Sequence, residues 1–460
     1  MHTQFLKRSL FTTVFTSSLL LSAAASADGV LSGINTSPLT IDDDATTSIV
    51  SGTQFQNDSE LSVIGWPFSV DPVLANQGTF INNGTFYGKY SDLNNSGVLL
   101  NTGSLTTHVS DLNNAASGQI TNTGYIENKS GRWINDGQID NQAEFLNQGT
   151  FSNNGQLTNN DILTNTGTLS SYRGGTVTNN GILTNSRAGK LNNYIASTLV
   201  NNGTLNNEGT FTNAGRLINQ GSMTNNYVLT NAINDIVVNN GVMTNNKSIY
   251  NQNAFVNTGT FVNNEKAKLV GSGAWVGDYT QTAGKTINNG TISQTSVNIN
   301  GGNLSGTGTI NSHVTVNGTG YDNYASLTAG NSIGTMTING NYTQGEFGSM
   351  VVEFDETHSD LLDISGVASL AGLLSFEFIG DDVQEGTFNF LTFASIVGSF
   401  DSIILPAISG FNFEVVFGDT FANLVVSQAV SAVPIPAAFF LLAPVLFGFL
   451  GLRRKASLVA

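Results

Sequence analysis

The feature that most constrains this chain is a six-residue repeat running between Leu74 and Leu269. Written from its apolar member, the unit is apolar-x-Asn-x-Gly-x. Examples are Leu74-Ala-Asn76-Gln-Gly78-Thr79, Leu163-Thr-Asn165-Thr-Gly167-Thr168 and Leu205-Asn-Asn207-Glu-Gly209-Thr210. The spacing holds through Phe145, Phe151, Leu157, Leu163 and Leu169, and again through Leu205, Phe211, Leu217, Met223 and Leu229. A period of six cannot keep one face of a helix that turns every 3.6 residues, and the Asn and Gly content disfavours helix as well. An unbroken series of large apolar residues also argues against the other reading of an Asn-rich tract, a disordered low-complexity segment.

Within the unit, the apolar residue and the Asn are two apart and so share one face of an extended strand, while the Thr, Ser or Asn between them faces outward. Steps of eight interrupt the sixes, as from Leu169 to Val177, Leu191 to Leu199 and Leu229 to Val237. Two sixes and an eight make 20 residues, the length of one coil of a three-sided parallel β-helix. About ten coils at a strand spacing of ~4.8 Å would give this stretch a length of ~50 Å. The inward Asn is expected to stack on the Asn of the next coil and to bond corner backbone. The Gly is expected to open the corner through a positive φ. The hexads leave the handedness open.

Beyond Ser272 the texture changes to Gly302-Asn-Leu-Ser-Gly306-Thr-Gly308-Thr-Ile310, then Gly330-Asn331-Ser332-Ile-Gly334-Thr335 and Gly340-Asn-Tyr342. This stretch resembles the C-terminal end of autotransporter passenger domains, and the Asn-x-Gly repeat resembles right-handed haemagglutinin-like helices. The resemblance implies an all-β, right-handed parallel β-helix (a β-solenoid) closed by a β-rich C-terminal cap. The expected layout is an N-terminal capping region over 28–72, the hexad solenoid over 73–270, its continuation over 271–345 and the cap over 346–430. The Asp42-Asp43-Asp44 run reads as a loop of the N-terminal cap.

Both ends carry addressing signals. Lys7 and Arg8 precede the apolar run Ser9 to Leu21 and an Ala25-Ser26-Ala27 site, the pattern of a secretory signal peptide (residues 1–27) cleaved after Ala27. At the other end Val433-Pro434-Ile435-Pro436-Ala437 precedes an uncharged apolar stretch to Leu452, then Arg453-Arg454-Lys455. That stretch is just long enough for a transmembrane helix across ~30 Å of hydrocarbon. The three cations would stay cytoplasmic. The order of proline motif, apolar helix and basic end over 433–455 resembles the PEP-CTERM class of bacterial sorting tails, in its Val-Pro-Leu-Pro-Ala variant with Ile435 at the Leu position. The resemblance implies processing by an exosortase-like membrane enzyme in a Gram-negative bacterium, at the cell surface or in a polysaccharide matrix, after transient anchoring in the inner membrane. A plain membrane anchor is the simpler reading of the same tail.

Charge and composition narrow the chemistry. Charged residues make up 10% of the chain, against about 25% in an ordinary soluble domain. Polarity comes instead from 58 Asn and 51 Gly. Removing both ends would leave 11 basic against 32 acidic residues, a net charge of −21 that disfavours nucleic acid. Zero cysteines exclude disulfides and thiolate metal sites. His108, His313 and His358 are scattered along the chain. Gly330-Asn331-Ser332-Ile333-Gly334 has the spacing of a nucleophile elbow, but no helix pattern follows it and a tight turn is expected. Glu353, Asp355, Asp360 and Asp363 form an acidic segment, read as a solvated edge in preference to a calcium site. A polysaccharide-cleaving β-helix would need a base, which only Arg173 or Lys285 is placed to supply. The expectation is therefore a structural, adhesive protein without catalytic residues, metal or cofactor, associated with extracellular polysaccharide.

Overall fold

The computed structural model describes residues 29–42 and 46–429; the expected signal peptide, Asp43, Asp44 and the 433–455 tail lie outside the described residues. Among the described residues all regular structure is β, and no helix is long and apolar enough to cross a membrane. The chain winds into a parallel β-solenoid of about 17 turns. Each turn contributes one short strand to each of three sheets. The first sheet starts with Gly29–Val30 and Thr46–Ile49, the second with Gly33–Asn35 and Gln54–Asn57, the third with Leu39–Asp42 and Glu60–Ile64.

Register is kept without slippage because one face of every strand is buried, and a one-residue shift would turn the core outward. In the second sheet Leu157, Val177, Leu199, Leu217, Val237, Phe255 and Tyr279 lie one above the next, each at most 1% exposed. Aromatic rings fill the wider layers: Trp133, Phe145 and Phe151 meet at centroid distances of 5.4 to 6.3 Å, and the Trp133 Nε1 donates to Thr107 Oγ1 at 2.8 Å.

The Asn two residues after each core residue also points inward, and 29 of the 58 asparagines are buried to 1% exposure or less. They form three columns. In the second sheet the Nδ2 of each Asn donates to the Oδ1 of the Asn one coil later, without a gap from Asn35 through Asn141 and Asn179 to Asn257, which reaches Gln281. The third sheet carries an equivalent column from Asn128 to Asn288. The other N–H of most of these carboxamides goes to backbone, as from Asn179 to the Thr204 carbonyl at 2.9 Å. The amides are thereby paired on both sides, as buried polar groups must be.

In the first sheet the column breaks. Asn76 to Asn153 form one run and Asn193 to Asn251 another, with Ser171 between them. Ser171 is too short to donate onward, so the Oδ1 of Asn193 is buried without a partner. Asn76 stands next to Ile49 and has the same orphan.

The repeat glycines differ from expectation. Gly203, Gly221, Gly241 and Gly259 are absent from the positive-φ positions, which within the repeat fall instead at Tyr90, Val109, Arg173, Gly174, Ala196, Asn234 and Lys266, in the seven- and eight-residue steps. Close approach is what demands glycine here. A Cβ on Gly221 would sit 2.2 Å from the Gly203 carbonyl oxygen, because the N–H groups of Gln220 and Gly221 both converge on the Asn201 carbonyl at 2.8 and 2.9 Å.

The solenoid continues beyond the boundaries drawn from the repeat. Residues 29–64, expected as a cap, pair as the first coils, and much of 346–430 also coils, out to Ser395–Gly398 and Ser402–Ile404. The departure is the pair Phe411–Phe417 and Phe421–Gln428, added antiparallel to the end of the first sheet. Past Asn288 the inward Asn gives way mostly to apolar residues such as Ile299 and Val316, so the rod changes from an amide-laddered core to a mainly apolar one in which Gln344 and Asp360 are isolated buried polar groups.

Two substitutions test the columns in opposite directions. Asn179→Ala strands a donor on Asn159 and an acceptor on Asn201 and should lower unfolding free energy by about 2–5 kcal/mol. Ser171→Asn bridges the break and should raise it by about 1 kcal/mol. Urea unfolding followed by circular dichroism reads both.

Candidate functional site

A three-sided coil with a uniform interior leaves its chemistry to the outward positions and the three edges. The acidic segment is the first place to look. Three of its carboxylates, on Asp355, Glu356 and Asp360, accept the protein's own backbone N–H groups. Asp355 Oδ1 accepts the N–H groups of Thr357 and His358, each at 2.7 Å, which holds its carboxyl below the usual range. Glu356 Oε1 accepts those of Asp381 and Asp382 at 2.6 and 3.1 Å, and its carboxyl is lowered by these and its own backbone N–H. Asp363 Oδ1 takes the Thr392 hydroxyl at 2.5 Å.

Asp360 departs from the expected solvated edge, being 1% exposed. Its Oδ1 accepts the Gly334 N–H at 2.9 Å and its Oδ2 the Glu353 N–H at 3.0 Å, so one carboxyl ties the Gly330–Gly334 loop to the third-sheet strand Gly348–Phe354. Burial pushes this carboxyl up to about 7, with the nearby Glu353 adding to the rise and the two backbone donors opposing it. The loop itself joins the strands Ala325–Ala329 and Thr335–Ile338, with Gly330 at φ 99°, so Ser332 sits on a strand-to-strand turn.

The expected bases stand elsewhere. Arg173 occupies an edge turn nine coils before Asp363, and Lys285 begins a third-sheet strand three coils before Glu353. His108, His313 and His358 lie on separate coils, with His358 at 3.7 Å from Asp355. No group of three His, Cys, Asp or Glu among the described residues has metal-binding geometry.

The edges are more informative. The first edge, between first and second sheets, carries inserted turns, as does the third at 186–189 and 264–267. On the first edge Tyr172 and Tyr194 stack with centroids 4.6 Å apart, beside the exposed Ile195. The third edge, between third and first sheets, carries charged residues including Lys129, Arg187, Glu208 and Lys247. The second edge is uncharged at its corner: the ten positions from Asn83 to Thr258 that follow a column Asn hold only Asn, Gln or Thr.

These corner side chains pair with one another in the opposite sense to the interior. Asn160 donates to Asp140 at 2.6 Å, Asn180 to Asn160 at 2.8 Å and Asn202 to Asn180 at 2.8 Å. Further along, the same edge meets the 317–324 turn, whose Asn323 reaches back to the carbonyls of Asn300 at 3.1 Å and Thr282 at 3.5 Å. That turn gathers Tyr321, Tyr324 and Phe347, with Tyr321 77% exposed and 5.3 Å from Phe347. Sequence reading missed this cluster, since its members lie 26 residues apart and meet only through the coil.

In comparisons with known proteins, the chain matches no family model and no curated protein.

Asp360 generates a pH prediction. Its folded value of about 7 lies above the 3.8 of a free aspartate, so the native state binds the proton more tightly, and stability from this group is present below about 4 and lost as pH rises through 7. Between pH 5 and 8 the melting temperature of the native chain should therefore fall relative to Asp360→Asn. A constant difference across that range would remove the buried carboxyl from the account.

Proposed function

We propose that this chain is an exported, non-catalytic structural and adhesive protein of a bacterial surface or extracellular matrix, associated with polysaccharide. The observation that carries the reading is the continuous solenoid: one core and three sheets run through about 17 turns, a form suited to spacing and scaffolding. Asp355, Glu356 and Asp360 engage backbone donors, and Arg173 and Lys285 lie coils away from them, which favours scaffold over glycan-cleaving enzyme. Fold alone is neutral on that choice.

Delivery follows the terminal sequences. Cleavage after Ala27 releases the chain to the exterior, and the Val433-Pro434-Ile435-Pro436-Ala437 tail, with its membrane helix and Arg453-Arg454-Lys455 stop, hands it to an exosortase-like enzyme. A right-handed winding belongs to the same reading. The net charge of −21 left after both cuts keeps the rod soluble and away from nucleic acid.

Terminal-peptide mass spectrometry on membrane and matrix fractions tests the delivery. The matrix form should start at Asp28 and end within 433–437; a chain retaining Lys455 and confined to membranes would contradict it. Purified protein should sediment with polysaccharide and release no reducing ends from it. Cleavage that is lost on replacing Arg173 or Lys285 would establish the enzyme instead.

A further inference from the structure

We propose that the second edge is a binding track for a neutral, extended polysaccharide, lying parallel to the rod axis with one sugar per coil and anchored on the Tyr321–Tyr324–Phe347 cluster. This rests on the polysaccharide association proposed above and assigns it to a place and a glycan class.

The geometry supplies the repeat. Successive corner amides are one coil apart, ~4.8 Å, close to the length that one pyranose adds to an extended glycan. The chemistry supplies the match. A carboxamide offers both donors and acceptors, as a sugar hydroxyl does. Asn160, Asn180 and Asn202 use one N–H each in the column along the edge, and the second N–H of each has no protein acceptor among the described residues. Because the column already fixes their rotamers, little side-chain entropy remains to be lost on binding.

Charge selects the glycan. No turn of this edge from Asn83 to Phe347 contains Lys or Arg, while Asp140, Asp161, Asp322 and Glu346 lie along it. An anionic polymer would meet net repulsion there, with Lys285 the cation that flanks a turn of this edge, whereas the third edge interleaves both signs.

The aromatic cluster supplies the anchor. Tyr321 and Tyr324, 77% and 45% exposed, stand edge-to-face with Phe347. They present amphipathic ring faces to which the apolar face of a pyranose can pack. Asn323 holds this turn back against the Thr282 and Asn300 coils, on the line of the amide track.

Calorimetric titration of the full chain tests this with neutral β-1,4-glucose, β-1,4-mannose and β-1,3-glucose hexamers, and with hexagalacturonate as the anionic control. At least one neutral hexamer should bind, tighter than its own dimer by tenfold or more, and hexagalacturonate should not. Tyr321→Ala/Tyr324→Ala should weaken binding at least tenfold, and Asn240→Ala/Thr258→Ala, four and three coils before the cluster and so within a hexamer's reach, about threefold to tenfold. Tyr172→Ala/Tyr194→Ala, on the first edge, should leave it unchanged. All these positions are surface ones, and circular dichroism verifies that each variant folds. Binding unaffected by both second-edge variants would overturn the track but leave polysaccharide association standing. Binding of hexagalacturonate alone would overturn the neutral class, and binding of no glycan would overturn the track together with the association beneath it.

Discussion

Twenty-nine buried carboxamides are the constraint on which the rest of this structure depends. A buried amide left unpaired costs about 1–3 kcal/mol. Here each column is tolerable only because its members lie in register, coil on coil, with Nδ2 always donating toward the C-terminal end. Register, coil rise and the three-sided cross-section are thus tied together. A strand that slipped by one residue would both expose a core residue and break two column bonds. The corner glycines serve the same requirement, since the convergence of two N–H groups on each Asn carbonyl brings backbones closer than a Cβ allows.

The breaks in the columns show the same physics in reverse. Where Ser171 or Ile49 replaces Asn, the next Asn keeps an orphaned oxygen. Where the columns end, glutamines take over with their longer reach: Gln281 spans to the Gly301 carbonyl at 2.9 Å, and Gln294 accepts from Asn251 at 2.6 Å. After that the core becomes mainly apolar and needs no column, and buried polar groups such as Gln344 and Asp360 pair singly with backbone. The interior is therefore generic along the rod, and the edges are where one coil differs from another. The second edge is amide-lined and free of cations in its turns, the first and third carry the inserted turns of the repeat, and the third interleaves charges of both signs.

The hexads made the strands, the inward Asn and the three-sided coil legible, because burial alternation and the six-residue period are local properties of the sequence. The reason for the glycines was not legible, since it depends on contacts with the preceding coil. Neither was the extent of the rod: 29–64 and 346–404 lack clean hexads, yet stack because any alternating strand of the right length can continue an open sheet edge. Asp360 looked like its acidic neighbours in sequence, and only the fold places it under the Gly330–Gly334 loop. The Tyr321–Phe347 pairing was hidden for the same reason, being a contact between successive coils.

Hydrogen exchange of the asparagine side chains tests the central claim most directly. With 15N-asparagine incorporated into an otherwise deuterated chain, the carboxamide resonances can be followed after transfer to D2O. The account predicts that the column residues, such as Asn141, Asn179 and Asn219, exchange as slowly as the backbone amides of their own strands, while corner residues such as Asn202 exchange early. Column carboxamides that exchange quickly within a protected backbone would show that the amides are not what holds the coils in register.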